Sequence, residues 1–127
     1  MSTNNELIVL TGVTLLTAVV QRGTADMVVK VAMEAGAQGA TVFHAHGSGI
    51  RQKHLGVLGL TVDNEKEIIY IVVPNEQADH IFERVFVTAK MDTPGMGILW
   101  LTRLQKMATY IPPEIAARFG VHTERRE

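Results

Sequence analysis

Residues 47–67 read GSGIRQKHLGVLGLTVDNEKE, and whether this stretch is helical decides the fold. Before it, residues 40–46 are strand-like, with Thr41, Val42 and Phe43 at the centre; after it, residues 68–73 form a nearly continuous apolar run of strand length. Two such strands pair in parallel only through a crossover, usually a helix. The stretch between them has glycines at 47, 49, 56 and 59, a DNE cluster at 63–65 and no 3.6-residue apolar period, so it supplies no crossover. The flanking strands are therefore expected to be antiparallel, joined by a long irregular excursion.

Each strand belongs to a unit of the same kind. Upstream, residues 15–20 are a short apolar run that ends at Gln21, Arg22 and Gly23, the pattern of a buried strand and its turn. From Thr24 the period becomes helical: Met27, Val28, Val31, Ala32 and Ala35 mark one apolar face, Thr24 is placed to cap the start and Gly36 to end it. Downstream of Pro74, Asn75 is placed to cap a second helix. Its stripe is Ala78, Ile81, Phe82, Val85 and Phe86, with Glu76, Asp79, Glu83 and Arg84 facing out. The loop MDTPGMG (91–97) then leads into a fourth strand, ILWLTRL (98–104).

The order strand, helix, strand, strand, helix, strand predicts an α+β fold of the ferredoxin-like split βαβ kind (βαββαβ), with both helices on one face of an antiparallel sheet. Residues 40–46 and 68–73 are both expected in the sheet interior. The apolar content of the strands implies that other subunits cover the helix-free face. Outside this unit, ELIVL (6–10) adds a strand or stays loose. IPPEIAARFG (111–120) reads as a short helix with Pro113 in its first turn, and VHTERRE (121–127) as a frayed polar tail.

Composition narrows the function classes. A chain of 127 residues makes one domain. Within it, 1–12 is an N-terminal extension, 50–67 the excursion, 90–97 the second glycine-bearing loop and 112–127 a short helix and tail. Twelve basic and thirteen acidic residues give a net charge of −1, so no overall field draws the chain to nucleic acid or to a membrane surface. There are no cysteines, which excludes disulfides and thiolate chemistry and agrees with a cytoplasmic setting. The N-terminal apolar runs are broken by Thr11, Gly12 and Thr14, so neither a signal peptide nor membrane insertion is expected.

These residues carry a resemblance. AVVQRGTADMVVKVAMEAGAQGATVFHAHGSG (18–49) resembles the first half of the P-II nitrogen regulatory protein family, without a gap. EIIYIVVPNEQADHIFERVFVTAK (67–90) is similar to its third strand and second helix, and MDTPGMGIL (91–99) occupies the place of its B-loop. The resemblance covers about three quarters of the chain. It implies a homotrimer that binds an adenine nucleotide (AMP, ADP or ATP) between subunits and acts in nitrogen regulation. It also implies that residues 50–67 form the T-loop, which touches a target protein such as a membrane transporter.

Carried over by position, the resemblance places Thr41, Gly47, Ser48 and Gly49 at the adenine and T-loop base, with Val19 and Val72 as apolar contacts near it. Gly95, Met96 and Gly97 fall on the B-loop facing the phosphates, and Lys90 is a further candidate there. Arg51, Gln52, Lys53, Leu55, Val57, Leu58 and Leu60 are the partner-binding set. If the one-residue displacement at Ile50 is absorbed, Gln52 sits where the family ligates Mg²⁺ and 2-oxoglutarate. Two positions depart from the pattern: Ile98 and Thr109 stand where the family has a phosphate-binding lysine and arginine. Charge-assisted bonds are the strong ones for polyphosphates, so a less charged nucleotide fits better. Tyr70 and Tyr110, the only tyrosines, are in strand-like context, so the T-loop has no tyrosine to modify.

Other constellations are weaker. His44 and His46 share a strand face roughly 7 Å apart, with His54 beyond, which admits a divalent-metal-responsive trimer; cleft-lining histidines are the preferred reading. Ser48 lacks the strand-turn-helix context of a nucleophile, and Asp63, Glu65 and Glu67 are expected to keep a polar turn soluble, so no enzyme is expected. Met91 and Met96 are read as adaptable packing, and Trp100 as a core or trimer-seam residue. A trimeric interaction module without nucleotide is the remaining alternative.

Overall fold

The computed structural model of the chain describes residues 6–45, 65–116 and 120–125. The elements run β1 (Glu6–Thr11), β2 (Val13–Gln21), α1 (Ala25–Glu34), β3 (Thr41–Ala45), β4 (Lys66–Pro74), α2 (Asn75–Thr88), β5 (Gly97–Leu104), β6 (Met107–Ala108), α3 (Pro113–Ala116) and β7 (Gly120–Arg125). Strands β3, β4, β2 and β5 lie in that order in an antiparallel sheet. β3 and β4 pair directly, as the missing crossover requires, and the βαββαβ expectation holds.

Strand alternation divides the sheet into two faces. Leu16, Ala18 and Val20 of β2 and Ile69, Ile71 and Val73 of β4 are buried, together with Val28, Val31 and Ala32 of α1 and Ala78, Ile81 and Val85 of α2. Both helices cover this face. The opposite face carries Thr41 and Phe43 of β3, Tyr70 of β4, Thr17 and Val19 of β2 and Ile98 and Trp100 of β5, in mutual register. Phe43, Tyr70 and Trp100 are each more than two fifths exposed, and the Phe43 and Tyr70 rings meet edge to face at 5.2 Å. This open aromatic face is where Trp100 belongs, rather than in the core.

The two halves end their helices alike. After α1, the Gly36 amide donates to Met33 O and the Ala37 amide to Ala32 O; after α2, Lys90 donates to Val87 O and Met91 to Phe86 O. Both are Schellman closures, which need a left-handed residue at C′. Gly36 supplies it at φ 116°, but the second half uses Lys90 at φ 55°. Lys90→Gly is therefore expected to raise stability by about 0.5–1 kcal/mol, as a cost of left-handed backbone is removed; the denaturation midpoint would show it.

Several expectations are corrected. β3 is an edge strand, mostly exposed, because β4 pairs with β2 on its other side. Neither Thr24 nor Asn75 caps its helix through a side chain; Asn75 Oδ1 instead accepts from the buried Thr14 Oγ1 at 2.5 Å. Met27 and Phe86 fall outside the buried stripes. Tyr110 lies in no strand and is 83 % exposed.

The C-terminal segment is not a frayed tail. β7 pairs with β1 over its whole length, from Glu6↔Arg125 to Thr11↔Gly120, and β1 pairs with β6 on its other side. Val9 and Leu10 of β1 are buried, whereas Val121, His122 and Thr123 are exposed, so ladder hydrogen bonds to β1 hold β7 in place. A side chain at Gly120 would meet Thr11 Oγ1 at 2.5 Å, which explains the glycine at this crossing. No helix among the described residues is long and apolar enough to cross a membrane.

Candidate functional site

A cavity of about 530 Å³ opens beside the β3 and β4 end of the sheet, within the usual range for small-molecule sites. Thr41, Tyr70 and Val72 form its sheet side, Gln38, Gly39 and Ala40 its rim, Leu10 and Met107 a wall from the second sheet, and Thr109, Tyr110, Ile111 and Pro112 its remaining side. The lining has hydroxyls and one side-chain amide but no charged residue. It suits a neutral ring with hydrogen-bonding edges, and gives a phosphate no cation.

The loop between α2 and β5 lies at the other edge of the sheet. It is built from two turns, Thr93 N to Lys90 O and Met96 N to Thr93 O, and leaves through Gly95 at φ 83° and Gly97 at φ 147°. Gly97 is pressed on β2: an added Cβ would stand 2.5 Å from Val19 O. Three strand spacings, about 14 Å, separate the β3 and β5 edges. Within one subunit, Thr41 and Gly97 are therefore too far apart to touch the same base or ribose.

Between these edges the turn after β2 is pinned to the start of β4. Glu67, only 8 % exposed, accepts the amides of Gly23 and Ala25 on Oε1, each at 2.9 Å, and its Oε2 lies 3.6 Å from His44 Nδ1. A buried carboxylate at the first turn of a helix satisfies orphan amides and complements the positive end of the helix dipole. Gln21 bonds both Gly95 O and Lys66 Nζ. Arg22 and Glu65 add an exposed ion pair at 3.1 Å, of small energetic weight.

Of the expected nucleotide set, Thr41 and Val72 line the cavity, while Val19 lies on β2 beside β5, Gly95, Met96 and Gly97 lead into β5, and Lys90 opens their loop just after α2. Gly47, Ser48 and Gly49, and the partner set Arg51, Gln52, Lys53, Leu55, Val57, Leu58 and Leu60, lie outside the described residues, as do His46 and His54. Among the described residues, no three His, Asp or Glu side chains are grouped to hold a metal ion. Lys66 and Glu67 belong to β4 rather than to a polar turn, which corrects the C-terminal end of the excursion. The signal was present: alternation from Ile71 through Ile69 puts Glu67 on the helix-covered face. Leu10 was not legible as a lining residue, because its place depends on the pairing of a second sheet.

Comparison with known proteins gives one family. The model described as "Nitrogen regulatory protein P-II" matches residues 13–111. Among solved structures, the plant protein of "Crystal Structure of Arabidopsis thaliana PII bound to citrate" is similar, with a TM-score of 0.56, 18% identity, and coverage of 75% of this chain and 79% of that one. No curated protein matches. The matched range leaves out β1 and β7.

Proposed function

Since the chain belongs to the P-II nitrogen regulatory protein family, a family of signalling regulators rather than enzymes, we propose that it reads an adenine nucleotide in the cleft between subunits of a homotrimer. Residues 50–67 then serve as the T-loop that passes occupancy to a target protein in the cytoplasm, a membrane transporter being the partner class considered. A ligand that touches the loop and the excursion differently in two arrangements shifts their populations.

The observation that carries this reading is the separation of the two half-sites. Thr41 and Val72 lie beside one edge of the sheet and Gly95 and Gly97 at the other. A neighbour packed on the open aromatic face would bring its loop to this subunit's cavity and complete the site. Trp100→Asp places a charge in that seam and is expected to convert the trimer to monomers in sedimentation velocity. Nucleotide binding should be lost with it; a monomer that still binds nucleotide would overturn the shared-site reading.

The uncharged cavity favours the base and ribose as the main recognition elements. Calorimetric titration with adenosine, AMP, ADP, ATP and cyclic AMP is expected to give affinities that differ by less than about tenfold, 1.4 kcal/mol, with weak salt dependence. A steep rise with phosphate count would place cations in the assembled cleft. Mg²⁺ and 2-oxoglutarate belong in the same series, with citrate because the plant PII structure holds it. Flat titrations of a folded trimer would favour the interaction module instead.

A further inference from the structure

Gln21 spans two elements with one side chain. Its Nε2 donates to Gly95 O at 2.6 Å, and its Oε1 accepts from Lys66 Nζ at 3.2 Å. Orientation of the amide is fixed by chemistry, since a carbonyl only accepts and an ammonium only donates. Gln21 and Lys66 are register partners across β2 and β4, and Lys66 is 9 % exposed. The contact is thus part-buried, where a hydrogen bond is better shielded from water than on the surface. Gly95 has a left-handed φ of 83°, and Lys66 is the first residue of a nine-residue strand.

We propose that Gln21 is a positioning residue that couples the loop at 90–97 to the start of β4. By drawing the Gly95 carbonyl toward β2, it sets the orientation of the following peptide and so of the Met96 amide. A displacement of that carbonyl changes the acceptor offered to Lys66, because both bonds share one rigid amide plane. Its signalling consequence rests on the reading of the loop as a ligand half-site; the coupling itself exists in the free protein.

The test is amide hydrogen exchange, followed by NMR on the full chain, for Gln21→Ala, Gln21→Glu, Lys66→Met and the double variant Gln21→Ala with Lys66→Met. Gln21→Glu keeps an acceptor for Lys66 but loses the donor to Gly95. Exchange at Met96 is expected to rise about tenfold in Gln21→Ala and Gln21→Glu alike, the factor for one side-chain hydrogen bond. Lys66→Met should raise it about threefold in the wild-type background and not at all beside Gln21→Ala. Unchanged exchange at Met96 in the folded Gln21→Ala protein overturns the proposal, as do strictly additive effects in the double variant. Titration of the wild type with ADP separates the two levels. If ADP does not bind while the exchange pattern holds, the nucleotide reading falls and the coupling stands.

Discussion

Gly97→Ala is expected to lower stability by about 3–5 kcal/mol and, on the proposed shared site, to remove nucleotide binding even under conditions where the fold survives. Two costs add. Backbone at φ 147° is open to glycine but strained for alanine, and the new Cβ would lie 2.5 Å from Val19 O and 3.2–3.3 Å from Val20. The first is a backbone atom inside the β2–β5 ladder, so relief requires β5 to move away from β2. Gly23→Ala isolates the conformational part: Gly23 has φ 91°, but nothing lies within 4 Å of its added Cβ. It is expected to cost only about 1–2 kcal/mol. Urea unfolding of both variants at one protein concentration, needed because the proposed trimer would add to stability, should show Gly97→Ala well below Gly23→Ala. Equal losses would mean that the contact with Val19 relaxes freely.

The second large effect is expected at Glu67. Glu67→Ala leaves the part-buried amide of Gly23 and the buried amide of Ala25 without their acceptor, at a cost of about 2–4 kcal/mol. Glu67→Gln keeps an acceptor oxygen at the same reach and should lose about 1 kcal/mol. Thr24→Ala should change stability by less than about 0.5 kcal/mol, because Thr24 makes no side-chain cap. The three variants together identify the cap of α1. A loss at Thr24 as large as at Glu67 would return the cap to the local residue. Fraying of the first turn of α1, read by amide exchange, should accompany only the Glu67 changes.

The choice between these two capping schemes shows how far the chain is legible. A local rule assigns Thr24, since its type and position are right for an N-cap. The structure assigns Glu67, 42 residues from Ala25, and β-strand alternation was the only trace of it in the sequence. Likewise, Gly36 is a readable stop, but Lys90 in the equivalent left-handed position is not, since lysine carries no preference for it. Family resemblance named the candidate nucleotide positions as a set. That the structure divides them between opposite sheet edges was not legible, because edge identity is a property of strand order.

What the sequence determined by itself is the succession of elements from β2 to β5 and the pairing of β3 with β4. Both follow from local periodicity and from the absence of helical period in 47–67, and neither needs knowledge of a distant residue. Tertiary structure alone decided which strand became an edge, which amides Glu67 accepts, where Gln21 points, that the C-terminal residues form β7, and that Leu10 walls the cavity. Each of these depends on backbone groups finding partners far along the chain. An N–H or C=O has the same chemistry at every position, so the ladder it joins is fixed by the assembled packing rather than by the residue that carries it.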